Sequence, residues 1–424
     1  MNNNPKSFVN RIVPWYLRFS TWSVLLGVLL ASVVFAFVWR ESAAARELNE
    51  ELNRAKNAGR PFGNESLALW HYSNTSTDGT VEWSEILTLV SSELISNCIQ
   101  PFDQESAQSF AEGSKEYYDA LRKNVGEVEP LIRRIHAATH YPKPVWIPGQ
   151  FDGYWVQLNA LKSVVKLVTM EFELAVHERE KPKANKSLET MLSCIEAFDW
   201  NFRSPSTIAS MSQRHTLYNS LQHSLEVDFW DESDIQKLNA FIRPIDLNGA
   251  WQQMLDTDSV RSESTLSMSP LGWIDSLPTA RKRAFEGLKL SRSFAKDGYR
   301  SLSERSSATI HRGYSLSWPV YAYSYGEIAK AFLRLENHRR LVSAAIELKR
   351  FSFEKHRLPS DLRELVEFGR VGAEFESCDG AHFEIEIDRD SKAARLGFED
   401  PYVKQMRGLS HSVPQLTNSV TIRN

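Results

Sequence analysis

Residues 158–175 read LNALKSVVKLVTMEFELA, and their apolar side chains recur at the spacing of an amphipathic helix. The members of this stripe are Leu158, Leu161, Val165, Val168, Phe172 and Ala175. A second stripe follows over residues 188–198, and we expect Pro182 to end the first helix. Helices of about 20 residues joined by short polar turns predict stacked antiparallel pairs.

Helical patterns continue on both sides of these two stripes. Ser204-Pro205 predicts a helix start, because serine caps a helix and proline tolerates its first turn, and this helix should run through Leu225. Ser233 to Gln236 resemble a capping box that opens the next helix. Helical spacing is also seen over seven further segments: Trp83–Ile99, Phe110–Leu121, Val128–Thr139, 247–267, 279–306, Trp318–Glu336 and Leu341–His356.

Only the end of the chain has the alternation of a β-strand. Phe383, Ile385 and Ile387 alternate with acidic residues, a turn is expected at Asp390-Ser391, and Ala394, Leu396 and Phe398 alternate again. A hairpin of this size is too small to be stable alone, so it should cover the nearest helical corner, the segment Leu341–Leu365. In that segment Leu358-Pro359 should end one helix, and Ser360 or Asp361 should cap the next.

The N-terminal region carries the strongest single signal, since the 21 residues from Phe19 to Trp39 contain no charge. At 1.5 Å per residue this run spans about 30 Å, the thickness of a bilayer core. A cleaved signal peptide is the competing interpretation, because Ala43-Ala44-Ala45 offers a small-residue cleavage pattern. We expect a retained signal-anchor that crosses the membrane once, with its short N-terminal end in the cytoplasm and the bulk of the chain outside it. A helix over residues 41–58 should continue out of the membrane.

The sequence therefore predicts a mainly α-helical fold with a single N-terminal transmembrane helix, an antiparallel helical array and a small C-terminal α+β unit that contains a β-hairpin. The expected divisions are a cytoplasmic segment (1–18), the transmembrane helix (19–39), a juxtamembrane helix (40–61), the helical domain (62–340) and the C-terminal unit (341–424).

Composition excludes several functional classes. The chain has 50 basic and 53 acidic residues and a net charge of −3, so it is no nucleic-acid polycation, and we expect no nucleic-acid partner. Its three cysteines, Cys98, Cys194 and Cys378, are too few and too far apart for a disulfide scaffold or a CxxC zinc site. One disulfide and inert thiols both remain open.

Two stretches resemble a known set of proteins. One is Ala55-Lys-Asn-Ala-Gly-Arg-Pro61, which follows the apolar helix, and the other is the sequence LVSAAIELKR at 341–350 with FEKHRLPSDLREL at 353–365. This layout resembles uncharacterised, membrane-anchored helical proteins of planctomycete-type bacteria, and its ending is similar to the segment after the long helix of type II secretion pseudopilins. The resemblance implies a bacterial envelope protein and implies no activity. The acidic tail that some of these proteins carry is reduced here to Cys378-Asp379-Gly380 and Glu399-Asp400-Pro401, so a metal-binding role is not carried over.

Two surfaces are candidates for binding. Tyr314, Trp318, Tyr321 and Tyr325 crowd one short stretch, and such aromatic groups with polar tips occur at interfaces and also in ordinary helix packing. The basic segment 281–312 could lie on an anionic membrane surface or simply face solvent. Its first five basic residues are Arg281, Lys282, Arg283, Lys289 and Arg292.

No motif predicts catalytic residues, a metal site or a cofactor. His136 and His140 have the i,i+4 spacing of a ligand pair, but two half-exposed histidines at a helix end fit as well. Glu173 and His177 fit an i,i+4 polar pair better than a ligand pair. We therefore expect a membrane-anchored module that binds a protein partner in the envelope. The alternative is a membrane-tethered hydrolase whose catalytic residues come from separate helices.

Overall fold

The computed structural model of the chain describes residues 6–57, 79–102, 114–141, 151–199, 204–242, 318–369, 383–388, 393–398 and 418–423. Within these ranges the fold is mainly helical, as predicted, with ten α-helices and one small antiparallel sheet. The helices are α1 (Lys6–Asn57), α2 (Thr80–Val90), α3 (Glu93–Ile99), α4 (Lys115–Ala138), α5 (Phe151–His177), α6 (Lys181–Asp199), α7 (Ser204–Glu226), α8 (Glu232–Leu238), α9 (Trp318–Lys355) and α10 (Leu362–Gly369). The strands are β1 (Glu384–Asp388), β2 (Ala393–Phe398) and β3 (Asn418–Arg423).

Helix α1 is a continuous rod that begins before the apolar run and ends well beyond it. Its segment Trp22–Glu47 is long and apolar enough to span a membrane, and a signal sequence has the same properties. The side chains of residues 22–40 are all exposed. The predicted helix over 41–58 is confirmed as the direct continuation of the apolar helix.

Helix α5 is the centre of the helical array, because it packs against α2, α4, α6 and α7. All six residues of its predicted stripe are buried. Residues outside the stripe, such as Val164 and Leu167, are buried as well, which is why neighbours surround this helix on several sides.

The turn between α5 and α6 is set by a left-handed residue, and the expectation that Pro182 ends α5 is wrong. Arg179 has φ 64°, and the Glu180 amide donates to the Ala175 carbonyl over 2.8 Å, which closes α5 with a Schellman motif. Pro182 instead lies in the first turn of α6, where no intrahelical N–H is needed. Because so short a link joins two helices that pack together, α5 and α6 run antiparallel.

Helix α9 is a second centre and packs against α7, α8, α10, β2 and β3. The sequence predicted two helices, 318–336 and 341–356, but the structure has one that is continuous through residue 340. It ends at Lys355, with His356 in a left-handed conformation, and so stops before Leu358-Pro359. Asp361 is the cap of α10, since its Oδ1 accepts from the Glu364 amide over 2.9 Å.

The predicted hairpin is confirmed, and a third strand extends it. The strand order is β1-β2-β3, with Ile385 opposite Leu396 and Leu396 opposite Val420. The buried face of the sheet packs on α9 and α7 and shares their hydrophobic core. Its fully or nearly fully buried members are Phe383, Ala394, Leu396, Val420 and Ile422.

Three further boundaries differ from the predicted ones. The segment 83–99 is two helices, because Ser92 adopts an extended conformation and starts α3. Residues 115–121 and 128–138, which the sequence places in two helices, belong to one helix, α4, whose cap Ser114 accepts from the Tyr117 amide. Helix α8 begins at Glu232 rather than at Ser233, since Asp231 and Asp234 form the capping box.

Candidate functional site

A buried polar cluster joins three helices of the array, and we call it the His136 cluster. It consists of His136 near the end of α4, Glu171 in α5, and Ser187 and Thr190 one turn apart in α6. These side chains lie beside buried apolar residues of their own helices. His136 is next to Ile135, Glu171 to Phe172 and Ser187 to Leu188, and these three apolar neighbours are fully buried.

The four side chains form an unbroken hydrogen-bonded chain. His136 Nε2 lies 2.6 Å from Glu171 Oε2, and His136 Nδ1 lies 2.7 Å from Thr190 Oγ1. The Ser187 hydroxyl donates to the same Glu171 oxygen over 2.7 Å. No member is more than 5% exposed, so these contacts replace water for groups that would be costly to bury unpaired.

The carboxylate of this cluster is ionised. Burial raises the pKa of Glu171, but hydrogen bonds from His136 and Ser187 and the nearby positive charges outweigh burial, so its pKa lies below the ordinary value. An ionised carboxylate accepts from Nε2–H. The Thr190 hydroxyl can then donate to Nδ1 of a neutral imidazole or accept from Nδ1–H of a charged one.

Chemically, the order hydroxyl, imidazole, carboxylate is that of a nucleophile relay. Thr190 is only 2% exposed, however, so its hydroxyl has no contact with bulk solvent in this conformation. What the arrangement does in this state is to fix α4, α5 and α6 to one another through buried hydrogen bonds.

The predicted pair of half-exposed histidines is wrong for His136. Helix α4 ends at Ala138, so the exposed His140 lies beyond it, and both nitrogens of His136 are bound to Glu171 and Thr190. In the ranges that the structure describes, no group of three His, Cys, Asp or Glu side chains is placed to hold a metal ion.

Glu173 and His177 both contact α4. The Tyr117 hydroxyl donates to Glu173 Oε2 over 2.7 Å. The His177 ring stacks on Tyr118, with ring centroids 3.6 Å apart and planes within 8°. These contacts are long-range and could not be read from the i,i+4 spacing.

The two surfaces that the sequence predicts lie mostly outside the described residues. Tyr314 and the basic residues Arg281, Lys282, Arg283, Lys289 and Arg292 are outside them. Trp318, Tyr321 and Tyr325 belong to the first part of α9, but the structure describes only their backbone. Both binding surfaces therefore stay predictions.

Two of the cysteines are buried thiols in this structure. Cys98 and Cys194 form no disulfide, and Cys378 lies outside the described residues. Burial, together with the neighbouring Glu127, raises the pKa of the Cys98 thiol, which disfavours the reactive thiolate.

No family model, no curated protein and no solved structure matches this chain. The site must therefore be interpreted from its own geometry.

Sequence reasoning found His136 but missed its partners. Glu171 carried a signal, because a carboxylate between Met170 and Phe172 lies in the middle of an otherwise apolar helix. Such a residue must find a donor on a neighbouring helix. Ser187 and Thr190 carried none, since small hydroxyl residues are common on any helix face.

Proposed function

We propose that the protein is a single-pass membrane protein of the bacterial envelope whose helical domain, outside the cytoplasm, binds or assembles with a protein partner. The observation that carries the membrane part is the segment Trp22–Glu47, which is long and apolar enough to span a membrane and whose side chains from residue 22 to residue 40 are all exposed. A helix as apolar as this on all sides is stable when lipid covers it.

The orientation is supported by the charges that flank the segment. Lys6, Arg11 and Arg18 precede it without any acidic residue, whereas basic and acidic residues alternate after it. The count of basic residues alone does not favour this orientation, since more of them follow the segment than precede it. We place the short N-terminal end in the cytoplasm because its net charge is positive. The resemblance to membrane-anchored planctomycete-type proteins and to the pseudopilin ending supports the same location.

The proposal of a binding module is supported by how the array uses its polar groups. The His136 cluster and the long-range ion pairs of α4, Arg134 with Glu82 and Glu85, connect helix to helix. A rigid helical array tethered to a membrane offers a wide surface to a protein partner. The aromatic group at residues 314–325 is the candidate contact.

Fractionation and protease protection test the location. The full chain should sediment with membranes, and a variant without residues 1–40 should not. In spheroplasts, added protease should cut the bulk of the full chain while a cytoplasmic control stays intact. Recovery of a mature N-terminus near Ala45 in the soluble fraction would show a cleaved signal peptide instead.

Site-specific crosslinking tests the partner. A photoreactive residue at position 321, placed in the full chain in native membranes, should give one crosslinked band that is lost when Trp318 and Tyr325 are changed to Ala. The same photoreactive residue at the exposed position Lys123 is the matched control. Identical bands at both positions would contradict a specific aromatic contact.

The alternative function, a tethered hydrolase, is favoured by one observation, the Thr190–His136–Glu171 relay. An activated hydroxyl should react with a fluorophosphonate probe, and the label should disappear in Thr190→Val. Thr169→Val is the control, because Thr169 is equally buried but its hydroxyl bonds to its own helix at Val165. If the probe labels neither the wild type nor Thr169→Val, the Thr190 hydroxyl is not an activated nucleophile, and the cluster only joins the three helices.

A further inference from the structure

A second pair of histidines lies where α7, α9 and the sheet meet. His215 of α7 and His338 of α9 face each other, with their Nδ1 atoms 2.8 Å apart. The other nitrogen of His338, Nε2, lies 3.3 Å from Oε1 of Gln222. His338 is 3% exposed, whereas His215 has an exposed edge.

Gln222 connects this pair to strand β3. Its Nε2 donates to the Ser419 carbonyl over 2.9 Å and to Glu226 Oε1 over 3.3 Å. The same Glu226 oxygen accepts from the backbone amide of Thr421. Strand β3 is thus hydrogen-bonded to α7 at two backbone positions, the Ser419 carbonyl and the Thr421 amide, and Gln222 binds the first of them.

These contacts fix where the protons are. Because Gln222 Nε2 donates to two acceptors, its Oε1 is the oxygen that faces His338, and His338 Nε2 must carry a hydrogen. A neutral His338 then has a lone pair on Nδ1, and the hydrogen between the two rings belongs to His215 Nδ1. A second hydrogen on His338 would meet that of His215 across 2.8 Å, so His215 would have to move its own hydrogen from Nδ1 to Nε2.

The surroundings also oppose a charge on His338. Burial, and then the neighbouring His215, lower the pKa of His338 to about 3. The other titratable, charged or hydrogen-bonding groups at this meeting point are Arg214, Tyr218, Gln222 and Glu226 on α7, Glu336 and Arg339 on α9, Ser419 and Thr421 on β3, and Arg395 on β2. Glu336 accepts from Arg339 through two hydrogen bonds and from Arg340 through a third, so this carboxylate is already paired with two positive charges.

We propose that His338 is a pH-sensitive latch, which holds strand β3 on the helical array while its imidazole is neutral and releases the strand when the surroundings become acidic. This inference is independent of the function proposed above, because it rests only on contacts among α7, α9 and the sheet.

The direction follows from proton linkage. In the docked state His338 stays neutral down to a pH near its lowered pKa. In the open state its ring meets water and binds a proton below the ordinary histidine pKa of about 6.5. The docked state therefore has its full stability relative to the open state above about pH 6.5, and this stability decreases as the pH falls. Between pH 7.5 and 5.0 one such group multiplies the open population roughly 30-fold.

Hydrogen exchange on the full chain in detergent micelles tests the latch. After correction for the intrinsic pH dependence of exchange, amides of 418–423 should exchange roughly 30-fold faster at pH 5.0 than at pH 7.5. Amides of α5, residues 158–176, should keep their protection. In His338→Gln, whose amide does not titrate, the pH dependence of the strand should fall to the part that His215 contributes, since burial lowers the pKa of His215 as well. This should hold even if the protection of the strand is lower throughout.

Two controls make the result specific. His223→Gln changes an exposed histidine beside Gln222 on the same helix and should leave the pH dependence intact. Glu226→Gln keeps an acceptor oxygen for Thr421 and removes the negative charge of the carboxylate. The latch is overturned if His338→Gln retains the wild-type pH dependence, if the effect follows Glu226 instead, or if α5 loses protection together with the strand.

Discussion

Arg179 and Asp228 are the two left-handed residues that end α5 and α7, and they are joined to each other: Arg179 Nη1 donates to the Asp228 carbonyl over 2.8 Å. A second bond runs from Arg179 Nη2 to the Val227 carbonyl. Asp228 in turn accepts at its carboxylate from the buried Lys349 of α9, with Nζ 2.6 Å from Oδ1. The C-terminal ends of α5 and α7 therefore meet helix α9 at one point.

Arg179→Ala should destabilise the protein more than Arg179→Gly. Both remove the bonds to the second turn, but only glycine relieves the left-handed conformation, which costs a non-glycine residue about 1 kcal/mol. We expect the free energy of unfolding to fall by about 1–2 kcal/mol for alanine and by about 1 kcal/mol less for glycine, measured by urea denaturation. Equal losses would mean that the backbone at residue 179 is not strained.

Glu171→Gln should destabilise the array by about 1–3 kcal/mol at pH 7, because the charged acceptor of two buried hydrogen bonds is lost. The pKa of Glu171 is lowered in the fold, so its ionised form contributes stability above the ordinary pKa of about 4.3, and that contribution is lost as the pH falls through the lowered value. The difference in the free energy of unfolding between the wild type and Glu171→Gln should therefore become smaller below about pH 4. Urea denaturation from pH 7 to pH 3 measures it, with the partly exposed Glu173→Gln as control.

Leu348→Ala should cost about 2–5 kcal/mol, since Leu348 is fully buried in α9. Helix α9 and the sheet share one hydrophobic core, so amide protection of β1 and β2 should fall with it. Hydrogen exchange of residues 384–398 is the measurement. Unchanged protection there would mean that the sheet does not depend on α9.

Gly79→Ala should be strongly destabilising. Gly79 has φ 77°, and a Cβ at this position would lie 2.2 Å from Cβ of Tyr141. We expect a loss of at least about 2 kcal/mol from strain and overlap together. Gly126→Ala is the matched control, because a Cβ there meets nothing within 4 Å inside a helix, and it should stabilise by about 0.5–1 kcal/mol. Thermal unfolding followed by circular dichroism compares the two.

The parts of the fold that the sequence predicted are those whose pattern is local. The stripe of α5 and the alternation of Ile385 and Ile387 each report one buried face, and each was confirmed. The sequence predicted two helices where α9 is one. Between Phe332 and Ser352 this helix is buried on nearly all sides, and its buried polar residues have the sequence pattern of solvent-exposed ones. Strand β3 was missed because only Val420 and Ile422 mark its buried face.

The candidate sites were harder to predict, because their partners are remote in sequence. His136 is separated from Glu171 by 35 residues and from Thr190 by 54. His338 meets His215 across 123 residues. The spacing of one residue type along a helix carries no information about such contacts, which depend on how the helices pack.

The continuity of α1 has a consequence for rotation about the helix axis. The apolar segment and residues up to Asn57 belong to one rod, so each residue along it turns by about 100°. Glu41 and Ala44, three residues apart, are the first buried positions after the exposed apolar side chains, so one particular side of the rod is covered there. One residue inserted before Glu41 would turn that side by more than a quarter of a circle relative to the apolar segment, whereas seven would restore nearly the same angular position. The helix thus fixes the angular position of the residues after Glu41 about its axis, and not merely their distance from the apolar segment.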